Sequence, residues 1–159
     1  EILNSYSEQQ LSDIFYIFGE LKHNSKLVKN IIEQRKLKPF KEIDDLISMI
    51  KKSYYFYNKR SNFIKHCQKV FQALRIETNQ ELNDLTSFLN NLKNIKNKTT
   101  SLTIAIITFH SLEDKILKKF LKENSSFKET QKKVIKPSKE EKKANSRARS
   151  AKCRIFRIP

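Results

Sequence analysis

A chain of 159 residues sets an expectation of about one domain, long enough to bury a core without disulfides or metal. Its single glycine excludes an all-β fold full of tight turns and any complete glycine-rich phosphate loop, and no apolar run approaches the roughly 18 residues of a membrane span. The 33 Lys and Arg against 17 Asp and Glu give a formal charge of +16, which favours a polyanionic partner through counterion release.

In chain order, the first elements read as helices. Ser7 and Gln10 form a capping-box pattern, followed by Leu11, Ile14, Phe15 and Phe18 at helical spacing, with Gly19 placed to end the helix. Leu27, Val28, Ile31 and Ile32 mark a second helix. Pro39 opens a third, with Ile43, Leu46, Ile47 and Ile50 on one face. The stretch Tyr54 to Arg60 is aromatic and basic without a clear period, and reads either as a base-stacking loop or as a surface loop pinned by its aromatics.

A long helix is predicted from Ile64 to Leu92, with Cys67, Phe71, Leu74, Leu82, Leu85, Leu89 and Leu92 as its apolar stripe. Lys93 to Thr100 reads as a loop. Ser101 to Phe109 is almost wholly apolar or β-branched and suits a strand buried on both faces, as in a parallel α/β sheet. A helix with Leu112, Ile116, Leu117, Phe120 and Leu121 on its inner side follows directly. Lys132 to Ile135 and Ala151 to Ile158 are predicted as two further strands, with an exposed, highly charged segment between them. A strand buried on both faces needs more neighbours than these, and the first residue is Glu rather than Met, so the chain is expected to be a piece of a longer one.

The two cysteines, Cys67 and Cys153, are far apart and outside any CxxC context, which fits a reducing compartment such as the cytoplasm and predicts no metal site. The charge is unevenly spread: from Lys115 to Pro159 there are 16 Lys or Arg and 4 Asp or Glu. Codon bias toward Lys accounts for part of this, but not for Arg147, Arg149, Arg154 and Arg157.

The sharpest local feature is Phe109-His110-Ser111-Leu112-Glu113-Asp114, at the passage from strand to helix. Ligands of open α/β sheets sit beyond the carboxyl ends of the strands, where His110, Ser111 and Glu113 are placed to bind a polar substrate or move a proton. Ser111 and Asp114 equally suit a helix cap, and His23 and His66 read as surface residues.

The segment ITFHSLEDKILKKFLKENS resembles the signature of the ribosomal RNA small subunit methyltransferase H family. Three more stretches agree in the family's order: YSEQQLSDIFYIFGE, VFQALRIETNQELNDL and KPSKEEKKANSRARSAKCRI. Departures are Asn94 to Thr100 in place of a Pro-Gly-Gly turn, Gln68-Lys69 before FQALRI in place of Thr-Arg, Ser146 in place of a Pro, and Phe18 to Lys22 in place of YGEER.

The resemblance implies an S-adenosylmethionine-dependent enzyme that methylates N4 of a cytosine in the decoding region of 16S rRNA. The implied fold is α/β: the C-terminal part of a Rossmann-like methyltransferase domain, residues 61–159, preceded by part of an inserted helical substrate-recognition domain, residues 1–60. The family's cofactor loop and ribose-binding acid would lie outside this chain, so no cofactor-binding residue is assigned, and the chain alone is expected to be inactive. His110, Ser111 and Glu113 become the expected catalytic residues, Arg75 and Asp114 the braces of the cleft, and Arg147, Arg149, Lys152 and Arg154 the ligands of rRNA phosphates. The alternative is a non-catalytic family member that serves as an rRNA-binding assembly factor of the small ribosomal subunit.

Overall fold

The computed structural model describes residues 1–56, 60–95, 101–131 and 133–158. The elements in order are α1 (Ile2–Ser5), α2 (Glu8–Ile17), α3 (Ser25–Leu37), α4 (Ile43–Ser53), α5 (Arg60–Asn79), α6 (Glu81–Ile95), β1 (Leu102–Thr108), α7 (Ser111–Glu123), β2 (Lys128–Glu129), α8 (Lys139–Ala144), a 3-10 turn (Ser146–Ser150) and β3 (Lys152–Ile158). They form two compact units, Glu1–Gln80 and Glu81–Pro159.

The first unit is helical. Its core joins Leu11, Ile14 and Phe15 of α2, Leu27, Val28 and Ile31 of α3, Leu46 and Ile50 of α4, and Val70 and Ala73 of α5. The capping box at Ser7 is present, with Gln10 N–H donating to Ser7 Oγ at 3.2 Å and Ser7 N–H to Gln10 Oε1 at 2.8 Å. Ile43 does not join the inner face of α4. It is 65% exposed, and Met49 takes part in the core instead.

Gly19 follows the cap of α2, where its N–H donates to Ile14 O at 3.2 Å. The positive φ at this turn, 50°, belongs to Glu20. A Cβ on Gly19 would stand 2.7 Å from the carbonyl oxygen of Phe15 and 3.0 Å from that of Lys69, so the glycine permits α5 to lie against the end of α2. Side chains of α5 then satisfy that helix end: Gln72 Nε2 donates to Phe18 O at 2.9 Å and Lys69 Nζ to Glu20 O at 3.0 Å.

The predicted 64–92 helix is two helices. Gln80 adopts φ 54° between them, and its side-chain amide donates to Glu77 O at 2.6 Å, closing the last turn of α5. The apolar stripe is likewise divided. Val70, Ala73 and Ile76 are buried in α5, and Leu89 and Leu92 of α6 belong to the core of the second unit. Glu77 to Glu81 offers no apolar residue to carry one stripe across. Consequently α5, which the sequence places after a boundary at residue 60, packs with α2 and α4 in the first unit.

Of the aromatic stretch, Tyr57 to Lys59 lies outside the described residues. Tyr54 and Phe56 are pinned rather than open: Tyr54 meets the His66 ring at 4.5 Å, and Phe56 meets Phe63 at 5.3 Å. His66 is therefore half-buried among aromatics and not a free surface residue, whereas His23 is exposed.

The second unit is α/β. Its sheet has the order β1-β3-β2, with β3 antiparallel to both neighbours. It follows that β1 and β2 run in the same direction, joined through α7, with β3 returning between them. One face of the sheet, with Ile104, Ile106 and Phe156, packs on Leu89, Leu92, Leu117, Phe120 and Phe127.

Two expectations about strands are corrected here. Among the described strands β1 has no parallel neighbour. It pairs antiparallel with β3, and Thr103, Ala105 and Ile107 on its other face are exposed, Ile107 by 57%. Ladder pairing before β3 occurs at Lys128–Glu129, and residues 133–135 form no strand. Lys132 and residues 96–100 lie outside the described residues, and Ile135 makes a single bridge to Cys153. The polar Lys128-Glu129-Thr130 run carries no alternation that would reveal a strand in the sequence.

Candidate functional site

The end of β1 and the start of α7 form the Phe109–Asp114 junction. The cap residue of α7 is His110, not Ser111. His110 is extended, its Nδ1 accepts from Glu113 N–H at 3.4 Å, and Glu113 Oε2 accepts from Phe109 N–H at 2.7 Å and from His110 N–H at 3.1 Å. Glu113 thus satisfies the amides where the strand hands over to the helix. The Ser111–Asp114 register fits the same pattern in sequence, but Asp114 is engaged elsewhere.

Asp114 is 4% exposed and holds three cations. Arg154 Nε donates to its Oδ1 at 3.0 Å. Lys152 Nζ at 3.2 Å and Lys118 Nζ at 3.1 Å both reach Oδ2. Burial pushes the Asp114 carboxyl up, but hydrogen bonds from Arg154, Lys118 and Lys152 outweigh it and hold the group down at about 2. Arg154 also donates from Nη1 to Glu129 Oε1 at 2.8 Å, which ties β3 to β2 and α7 at once.

This geometry divides the residues that sequence reading grouped as phosphate ligands. The Arg154 side chain is 11% exposed and committed to two carboxylates. Lys152 is half-committed to Asp114. Arg147 and Arg149, on the 3-10 turn, are exposed. Asn145 Oδ1 accepts from Arg147 N–H at 3.1 Å and Ala148 is buried, so the turn is anchored while its two guanidinium side chains face outward. Arg75 lies on the exposed side of α5 in the first unit.

Two residues escaped the sequence reading. Phe109, at the carboxyl end of β1, is 49% exposed. Glu81, the first residue of α6, brings Oε2 to 3.7 Å from His110 Nε2. Its only signal was its place in the NQEL run of a family-like stretch.

Nearly the whole chain, residues 1–158, matches the family model described as the MraW methylase family. The chain belongs to the MraW methylase family. Among curated relatives, it is 42% identical over 159 residues to a protein of Hydrogenobaculum sp. and 39% identical over 160 residues to one of Coprothermobacter proteolyticus. It is 44% identical over 156 residues to one of Dictyoglomus thermophilum. All three are named ribosomal RNA small subunit methyltransferase H. The alignments cover 98–99% of this chain and 50–52% of those relatives, so the chain spans about half their length.

A methylase family implies a methyl donor. Among the described residues, the Phe109–Asp114 junction carries no glycine-rich turn to cradle one. The single glycine is Gly19, packed against the α5 backbone in the helical unit. Two hollows beside α7 hold about 230 Å³ each, below the roughly 300–1,000 Å³ of cofactor-sized sites, whereas a cavity of about 590 Å³ lies in the helical unit, lined by Tyr6, Phe40, Leu46, Phe71 and Glu77 and by none of the Phe109–Asp114 junction. No described helix is long and apolar enough to cross a membrane.

Proposed function

We propose that this chain is part of an S-adenosylmethionine-dependent rRNA methyltransferase that modifies N4 of a cytosine in the decoding region of the small-subunit rRNA. The observation that carries the reading is the match of residues 1–158 to a methylase family whose curated relatives bear the small-subunit rRNA methyltransferase name. The parallel direction of β1 and β2 about the α7 crossover supports a Rossmann-like sheet, of which these three strands are one end. The helical unit, extended to Gln80, is the substrate-recognition part.

At the site, His110 and Glu113 are positioning residues. Their polar atoms face the helix start and each other, and the result is a strand end held at a fixed place. Cytosine N4 is a weak nucleophile because its lone pair is delocalised, so holding the base out of its stack and in line matters more than a strong base. Phe109 offers the exposed ring on which such a base stacks, with Ser111 beside it. Arg147 and Arg149 hold phosphates, with Lys152 at the edge of that patch. The small-subunit RNA is the partner, in the cytoplasm.

Methyl transfer from labelled S-adenosylmethionine to small-subunit RNA by the intact protein, followed by nucleoside analysis, tests the reading. N4-methylcytidine in the decoding region is the expected product. Binding of the RNA without any transfer would leave an assembly factor instead. For the positioning role, Glu113→Gln retains an acceptor for the strand-end amides. It should leave activity close to that of the parent, whereas Glu113→Ala should lower kcat with the KM for RNA little changed.

A further inference from the structure

The His110 side chain is 7% exposed, and its Nε2 makes no hydrogen bond among the described residues. Buried ring nitrogens in native proteins are nearly always satisfied. Two carboxylate oxygens face this one: Glu113 Oε1 at 3.5 Å and Glu81 Oε2 at 3.7 Å. One ligand atom from each of the three residues falls within 4.8 Å of the others. We propose that Glu81, His110 and Glu113 form a three-ligand site for a zinc-like divalent cation that clips the start of α6 to the end of β1.

The donor set selects the metal. One imidazole nitrogen and two carboxylate oxygens suit zinc, while magnesium prefers oxygen alone. Spacing points the same way. Bonds of about 2.0–2.1 Å at the tetrahedral angle put ligand atoms about 3.4 Å apart, against about 3.0 Å along an octahedral edge. The 3.5 and 3.7 Å separations from His110 Nε2 lie nearer the tetrahedral edge than the octahedral one, and the third edge, between the two carboxylates, lies within 4.8 Å. Three protein ligands leave the fourth position for water.

The surroundings prepare the site. Glu113 Oε2 is fixed by the Phe109 and His110 amides, which orients Oε1 toward the imidazole. The ring has one cost to meet. Its Nδ1 accepts from Glu113 N–H at 3.4 Å, which places the ring proton on Nε2. Zinc takes the Nε2 lone pair, so the proton moves to Nδ1 and that bond is given up. It is the longest bond of the cap, and the two bonds to Oε2 keep the helix start satisfied. The proposal stands on this chain's geometry and does not depend on the methyltransferase reading.

The test is calorimetric titration of the chelator-stripped intact protein with zinc chloride, together with cobalt(II) absorption spectra. His110→Asn keeps a good cap residue without the imidazole, and Glu81→Gln removes one charge at a helix start. One zinc per chain is expected, with intense visible cobalt bands of tetrahedral type. Affinity should fall at least tenfold in Glu81→Gln and be lost in His110→Asn, and zinc should raise the Tm of the parent protein most, of Glu81→Gln less and of His110→Asn not at all. The absence of zinc binding, a weak octahedral cobalt spectrum, or equal binding by parent and both variants each overturns the site. Equal binding would place the metal at His23, His66 or the cysteines.

Discussion

Asp114, in the first turn of α7, and Arg154, in the middle of β3, meet at 3.0 Å with both side chains nearly removed from water. Forty residues apart in sequence, they join the helix after β1 to the strand that pairs with it. Removing one partner of a buried pair costs about 3–5 kcal/mol, because the other charge is left buried and alone. Asp114→Ala should lie in the lower part of that range, since Arg154 keeps Glu129 as a partner and Lys152 is partly exposed to water. Urea unfolding followed by circular dichroism should show a lower midpoint at an unchanged m-value.

The same carboxylate makes stability depend on acid. Its folded value of about 2 lies below the ordinary 3.8, so folding favours the ionised form. The contribution, about 2 kcal/mol, is complete above pH 3.8 and is lost as the pH falls toward 2. Urea midpoints measured between pH 5 and pH 2 should drop through that window in the parent protein. They should drop less in Asp114→Asn, which has no charge to lose.

Arg147 and Arg149 should separate from Arg154 in function. Replacing Arg147 and Arg149 with Ala should weaken RNA binding and reduce the log–log salt slope by up to about one unit per lost phosphate contact, with stability unchanged. Arg154→Ala should act the other way. It should lower the unfolding midpoint, because it takes the buried Asp114 carboxylate's shortest cation contact and breaks the tie to Glu129, and leave the salt slope of the folded protein nearly intact. An unchanged slope in the double Arg variant would remove the 3-10 turn from the RNA contact.

Gly19→Ala tests the close approach of α5 to the end of α2. The added methyl would meet a backbone oxygen at 2.7 Å and another at 3.0 Å, neither of which can rotate away. Overpacking of this kind costs about 1–3 kcal/mol. Thermal unfolding should register the loss in the first unit. A Tm equal to the parent's would show that the helices part at no cost.

Much of the helical unit was legible in the residues themselves. Ser7 and Gln10 announce a cap, and Leu11, Ile14 and Phe15 a buried stripe, because capping and 3.6-residue periodicity are local. β3 and α7 were legible for the same reason, and the FHSLED, FQALRI and RSAK stretches identify the family. Tertiary structure decided what depends on distant neighbours. Whether β1 pairs parallel or antiparallel is set by β3, fifty residues on, and no pattern within β1 records it. The division at Gln80 follows from two cores competing for one stretch of helix-forming sequence. Between two equally good capping registers, Arg154 and Lys152 settled the choice by claiming Asp114 and leaving the cap to His110 and Glu113. Arg154 itself reads as one of four similar basic residues near the end of the chain. Only its placement beneath α7, where a buried carboxylate needs a cation, distinguishes it from Arg147 and Arg149 at the surface.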